Sequence, residues 1–240
     1  MYTEAVPQRT LYSVDPNELP RYSIAEAAHY LRMSDATLQS WVSGRPYPVS
    51  KGTRWWAGLL HRPDPQDGRL SFSNLIEAHV LLALRKQYKV KMKSVRTALD
   101  YAREALGEDR VLLSPQLRVM PGNLFLERLE GLFNLGKRGQ EAMPEILAAY
   151  LQRVEWDRQG LPMRMFPWTR MDYLDAPRTV MIDPRIAFGR PILERKAIKT
   201  AAVAERFRAG ESIHDIADDY DLEASEVEEA IRYEALAAAA

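Results

Sequence analysis

The stretch YSIAEAAHYLRMSDATLQSWVSG, residues 22–44, constrains the fold more than any other part of the chain. Ser23 stands where an N-cap would, with Glu26 three residues later, the spacing of a capping box. Ile24, Ala27, Ala28 and Leu31 then recur at i, i+3, i+4 and i+7, which predicts a short amphipathic helix. Arg32, Met33 and Ser34 read as a turn. Ser34 can cap a second helix whose apolar side is Leu38, Trp41 and Val42, before Gly44 and Pro46 stop it. Two short helices across a tight turn make a helix-turn-helix.

A second phrase of the same kind, AGESIHDIADDYDLEASEVEEA, occupies residues 209–230. Ile213, Ile216, Ala217 and Tyr220 repeat at helical spacing, and Val227, Ala230 and Ile231 continue an apolar side. Three helices are predicted here, over residues 197–208, 212–220 and 225–235. The two phrases differ in charge. Residues 21–100 hold thirteen Lys/Arg against six Asp/Glu, whereas residues 211–234 hold ten Asp/Glu and one arginine, inside a chain whose net charge is zero. The front suits a polyanion; the rear repels one. With Asp215, Asp218, Asp219, Glu223, Glu226 and Glu229 left outside the apolar pattern, the rear unit matches a basic protein surface better than a DNA groove, a plain solvated face being the simpler alternative.

Between the phrases the signal changes. Pro, Gly and Asp punctuate residues 45–71, and the apolar pieces Trp55–Leu60 and Leu70–Phe72 predict a β-hairpin or wing with Arg45, Lys51, Arg54, Arg62 and Arg69 around it. Two longer helices follow, capped by Ser73 or Asn74 and by Ser94. In the middle, RVLLSP, LRVM and FLERLEGLFNL read as short strands, AMPEILAAYLQRVEWD as a helix and LPMRMFPWTR as extended. A strand, RTVMI, and a Pro/Gly turn open the last section. The fold class is therefore mainly α with small β elements (α+β): an N-terminal arm at 1–20, a winged helix-turn-helix domain at 21–108, an α+β connector at 109–176 and a trihelical domain at 177–240.

The front unit carries the clearest functional chemistry. A second helix laid in the major groove presents its first turns to base edges while neighbouring cations hold phosphates. The DNA-binding candidates are Ser34, Asp35, Thr37, Gln39, Ser40, Arg45, Lys51 and Arg54; Gln39 is the best base reader, because its amide both donates to and accepts from adenine. In FGRPILERK, the cations Arg190, Arg195 and Lys196 sit in a Gly/Pro-shaped loop and could neutralise the carboxylates of a metal-dependent nuclease, or simply decorate a turn. The chain has no cysteine, so disulfides and thiolate chemistry are excluded. His29, His61, His79 and His214 are scattered without metal-ligand spacing, His29 and His79 reading as surface or boundary residues, and no phosphate-binding glycine loop or nucleophile elbow occurs. No catalytic residue, metal or cofactor is expected. Trp55, Trp56, Trp156, Phe166 and Trp168 read as hydrophobic anchors. No run of apolar residues suits a membrane span and the first residues lack the build of a signal peptide, so a cytoplasmic protein is expected.

Residues 21–106 resemble the MerR-like winged helix-turn-helix family through Tyr22, Ser23, Ile24, Glu26, Ala28, Met33, Ser34, Thr37 and Leu38. Arg32 stands where that family has a turn glycine, and Gln39 where it has a DNA-contacting arginine. The last section resembles the antitoxin-associated domain of unknown function numbered four hundred and thirty-three. Ile182, Pro184, Gly189, Arg190, Pro191, Gly210, Ser212, Ile213, Ile216, Tyr220, Val227, Ala230, Ile231 and Tyr233 carry that likeness, while Glu194–Lys196 depart from it. Together these resemblances imply a VapB-type antitoxin, with a cognate PIN-like ribonuclease toxin and operator DNA as partners. The toxin-contact candidates are then Arg190, Arg195, Lys196, Asp215, Asp218 and Asp219. A homodimer is expected, since one short recognition helix reads few bases. The alternative is a stand-alone MerR-like transcriptional regulator sensing a small ligand in its aromatic middle.

Overall fold

The structure, a computed structural model, describes residues 15–64, 66–86, 92–107, 109–114, 148–170 and 176–235. Helix α1 (Ile24–Leu31) starts on the capping box that its sequence predicts: Ser23 Oγ accepts from the Glu26 amide at 3.2 Å, and the Glu26 carboxylate accepts from the Ser23 amide at 2.9 Å. It stops because Arg32 turns left-handed at φ 54°, which swings its amide back to the carbonyls of Ala28 and His29. α2 (Asp35–Ser43) follows, with Leu38, Trp41 and Val42 buried on the predicted stripe. Ser34 does occupy the N-cap position of α2, but its hydroxyl donates to Thr37 Oγ1 at 2.9 Å rather than capping the backbone.

The wing is a hairpin of β1 (Arg45–Val49) and β2 (Gly52–Trp56), with Arg45 opposite Trp56 and Val49 opposite Gly52. It lies earlier in the chain than the apolar pieces predict. Those pieces are drawn into the core instead: the amides of Leu59 and Leu60 both bond to the Trp41 carbonyl, and Leu70 bridges to Tyr22. Leu59, Leu60 and Leu70 are all buried. What remains outside is a polar hairpin with an exposed Trp55, so the anchor role expected of that residue is not met.

α3 (Phe72–Lys86) begins before its predicted caps. Ser71 Oγ accepts from the Asn74 amide and Asn74 Oδ1 accepts from the Ser71 amide, both at 3.2 Å, so Ser71 is the capping residue. α4 (Met92–Leu106) likewise begins before Ser94. α3 runs through the middle of the main core, buried at Leu75, Ile76, Ala78, Val80 and Leu81 and sharing that core with Tyr150, Leu151, Val154 and Trp168 of the middle section. His79, expected near the surface, is 1% exposed because α3 is covered on all sides.

In the middle section Val111–Leu113 is a 3-10 turn rather than a strand, since Val111 and Leu112 plug into the core beside α3. Helical residues 148–152 give way to strand β3 (Val154–Trp156), which shortens the helix expected to run to Asp157. β3 pairs with β4 (Pro162–Met165), where extended structure was predicted, and Val154 faces Met165 across the pair. LRVM and FLERLEGLFNL lie outside the described residues.

The last section pairs β5 (Val180–Met181) with β6 (Ile192–Leu193) and continues into α5 (Thr200–Arg208), α6 (Ile213–Tyr220) and α7 (Ala224–Ala235). α5 starts later than predicted because Ala197 is left-handed at φ 55° and its amide closes a turn onto the Leu193 carbonyl at 2.8 Å. Val203, Ile216, Ala217, Val227, Ala230 and Tyr233 form the second core, on which Ile213, Tyr220 and Ile231 pack from the edge. Among the described residues no helix is long and apolar enough to cross a membrane.

Candidate functional site

Three surfaces matter: the outer face of α2 with its wing, the acidic side of α6, and the seam between the two helix-turn-helix units. On α2, Ser34, Asp35 and Gln39 are exposed and Thr37 and Ser40 half-buried. Their side chains are tied along the helix: Ser40 Oγ donates to the Thr37 carbonyl at 2.8 Å and Gln39 Nε2 donates to Ser43 Oγ at 2.6 Å. Arg45, Lys51 and Arg54 are exposed on the hairpin, and among the described residues none of them forms an ion pair. Arg69, by contrast, is neutralised by Asp67 at 2.5 Å. Beside α2 a cleft of about 440 Å³ is lined by Ala36, Thr37, Gln39, Ser40, Arg45 and Arg85 among others. Arg85 comes from α3 and adds a cation to this face that no local spacing revealed. The hairpin is stiffened by Tyr47 stacked on Trp56, ring centres 4.2 Å apart, with the Arg45 guanidinium 5.4 Å from the Trp56 ring.

The cations of the Gly-Arg-Pro loop are already engaged. Arg190 pairs with Glu26 and donates to the Tyr30 hydroxyl at 3.0 Å, so a residue of the rear unit holds the carboxylate that completes the cap of α1. Burial opposes ionisation of Glu26, but hydrogen bonds from Ser23 and Arg190 keep its carboxyl below the usual range. Arg195 bonds to Glu226 at 2.7 Å and to the Asp221 carbonyl, and Lys196 pairs with Asp221. These contacts anchor the loop to α6 and α7. They leave Arg195 43% and Lys196 33% exposed, open to a partner that exchanges with those carboxylates.

More of the seam is built by α7. Tyr233 is buried against α1, its hydroxyl donating to the Tyr30 carbonyl at 3.2 Å, and the Arg32 guanidinium lies 5.3 Å from its ring. His29 meets Glu234 at 3.3 Å. Gly189 lies so close to Tyr22 that a Cβ would stand 2.2 Å from the tyrosine hydroxyl. A cleft of 520 Å³ opens where α1, the loop and α5 meet, with Tyr30, Arg190, Lys199 and Glu234 on its walls.

The acidic side is smaller than the sequence suggests. Asp215, Asp218 and Asp219 are exposed as predicted. Asp219 pairs with Arg206 at 2.5 Å, Asp218 faces His214 at 3.5 Å, and Asp215 accepts from the Ser212 hydroxyl at 2.6 Å. Glu229, expected outside, is 3% exposed and bonded to Arg170 at 2.9 Å, with Arg232 beside it; Arg170 comes from the middle section, and no periodicity could announce it. Among the aromatic residues of the middle, Phe166 and Trp168 are buried as anchors. Trp168 packs under the Arg153 guanidinium at 4.4 Å, and Arg153 in turn donates to the carbonyls of Phe166, Pro167, Ala176 and Pro177. Among the described residues no group of three His, Asp or Glu is placed to hold a metal ion.

Residues 180–233 match the family described as Protein of unknown function (DUF433), which covers the loop, α5, α6 and most of α7. Over most of its length the chain is also 31% identical to the protein of Mycobacterium tuberculosis named "Putative antitoxin VapB45", a match that spans 89% of this chain and 93% of that one. The chain belongs to the VapB-type antitoxin family. This antitoxin is similar in fold to a solved structure as well, the crystal structure of Rv2018 from Mycobacterium tuberculosis, with a TM-score of 0.62 and 25% identity over 89% of this chain and 98% of that one.

Proposed function

We propose that the chain acts as the antitoxin of a two-component operon, holding a PIN-like ribonuclease toxin inactive and binding operator DNA, as a homodimer, to repress its own synthesis. The DNA half rests on one observation: the outer face of α2 is open and flanked by Arg45, Lys51 and Arg54, which among the described residues have no anionic partner. Phosphates are the natural counter-charge for such a trio, and α2 lies where a recognition helix lies in winged helix-turn-helix proteins. In this reading Gln39 exchanges its bond to Ser43 for a base edge, with Ser34, Asp35, Thr37 and Ser40 around it, while the hairpin cations grip the backbone. The toxin half rests on family membership and on Asp215, Asp218 and Asp219, which offer carboxylates to a basic protein surface and repel nucleic acid.

Operator binding measured against salt concentration tests the first half. Affinity should fall steeply as salt rises, and replacing Arg45, Lys51 and Arg54 together by alanine should lower the logarithmic salt slope by about 3. Gln39→Ala should change sequence preference, and Arg54→Ala should weaken all sites alike. Salt-independent binding, or the reverse pattern in the two variants, removes α2 and the wing from the DNA interface. Co-purification with the product of a neighbouring ribonuclease gene, and loss of its activity in the complex, tests the second half; stable expression with no such partner would favour a stand-alone regulator.

A further inference from the structure

Phe188 is the most exposed large apolar side chain among the described residues, 82% open to solvent against 62% for Trp55. Its backbone is left-handed, and so are its neighbours: φ is 49° at Ala187, 57° at Phe188 and 74° at Gly189. Glycine takes that conformation freely; two consecutive residues with side chains take it only where their surroundings impose it. Here the surroundings do. The Ile186 amide bonds to the Asp183 carbonyl at 3.1 Å and the Gly189 amide to the Ile186 carbonyl at 2.9 Å, while Arg185 grips the Asp183 carboxylate at 2.9 and 2.7 Å. Arg21 of the front unit reaches the Pro184 carbonyl at 2.8 Å, and Ala187 packs on Phe166, Met181 and Ile192.

The loop is thus held from both units, and the result of its strain is an aromatic ring pointed into water. Folding alone gains nothing from that arrangement, and backbone strain of this kind is characteristic of binding sites. A ring fixed on a stiff loop loses little freedom on binding, which is the property of an interface anchor. The charge around it narrows the partner. Arg185 is 49% exposed while its carboxylate Asp183 is 4% exposed, so the rim that this pair presents to solvent is cationic; Arg190, 39% exposed, is balanced by Glu26 at 35%. A second copy docked by two-fold symmetry would set this rim against itself, arginine facing arginine.

We propose that Phe188 is the anchor by which the antitoxin enters an apolar socket on its toxin, a socket with carboxylates at its edge. This rests on the toxin reading above and changes its centre: the aromatic ring carries the contact, and Arg185 orients it. The decisive variant is Phe188→Gly in the full chain, assayed for binding to the ribonuclease encoded beside it and for thermal stability. Glycine removes the ring and relieves the strain together, so the melting temperature should stay within about 2 °C of the parent or rise. The Kd for the toxin should weaken by about 30-fold or more. Phe188→Tyr, which keeps the ring, should retain the parent affinity. Unchanged affinity in Phe188→Gly, or a loss of affinity that tracks a large drop in melting temperature, overturns the proposal. So does a change confined to oligomeric state or to operator binding, which would assign the ring to a second copy or to DNA. If the unaltered chain binds no ribonuclease, the toxin reading itself has failed, and this proposal with it.

Discussion

The two helix-turn-helix units are nearly the same object built twice. Each opens with a serine cap, Ser23 or Ser212, on an eight-residue helix. Each helix ends on a left-handed residue that is not glycine, Arg32 at φ 54° or Asp221 at φ 52°, and the following amide closes back onto the same relative carbonyl, Met33 onto Ala28 and Leu222 onto Ala217. They part company at the second helix. α2 keeps its outer face open beside a basic hairpin whose Arg45, Lys51 and Arg54 form no ion pair among the described residues, whereas α7 buries Val227, Glu229, Ala230 and Tyr233 between α5, the middle section and α1. A shared backbone phrase therefore does not carry a shared role. What surrounds the second helix, and with which charge, separates an open, cation-flanked surface from an internal strut.

The largest test of that contrast is Tyr233→Ala. Deleting a fully buried aromatic residue that docks α7 on α1 should cost about 3–5 kcal/mol, seen as a lowered midpoint in denaturant titration. A loss no larger than that of a surface substitution would mean that the rear unit is not a strut for the front one. Next comes pH. His79 in the core of the front half is buried, which pushes its pKa down to about 4 against the opposing hydrogen bond to the Tyr150 carbonyl, while His214 on α6 is 84% exposed. The folded state keeps His79 neutral, whereas the unfolded chain takes up a proton below about pH 6.5. The contribution of this group is therefore complete above that pH and falls as pH drops toward 4, by roughly 3 kcal/mol. His79→Gln should flatten that decline; a decline as steep as the parent's would break the contrast.

Smaller effects refine it. Arg190→Ala removes the bond from the rear loop to Glu26 and Tyr30, both partly open to solvent, and should lower stability by about 1 kcal/mol with helix content unchanged. Asp215→Asn with Asp218→Asn should change stability by less than about 0.5 kcal/mol, because both carboxylates stand in solvent. The same pair should slow association with a basic partner, and this loss should shrink at high salt.

Much of the fold was legible where local rules act alone. The capping box at Ser23 and Glu26, the stripe of Ile216, Ala217, Val227 and Ala230, and the open face of α2 each follow from spacing within a single turn or two of helix. Legibility failed where a distant partner decides. Leu59 and Leu70 look like hairpin strands until Trp41 and Tyr22 claim their backbone bonds. Glu229 looks solvated until Arg170 reaches it, and His79 looks like a boundary residue until α3 is covered on every side. The candidate sites divide the same way: Gln39, Arg45, Lys51 and Arg54 stand outside as their sequence predicts, while Arg190, Arg195 and Lys196 turn out to be tied inward.

By itself, then, the sequence determined two helix-turn-helix units, the opposite charge of their surroundings and the family to which the chain belongs, because periodicity, caps and charge are properties of neighbouring residues. Only the tertiary structure decided that Arg190 completes the cap of α1 across 164 positions of chain, that α7 is a strut, and that a strained loop holds Phe188 in water. Those features depend on which surfaces meet when the units pack, and packing joins residues that no local pattern connects.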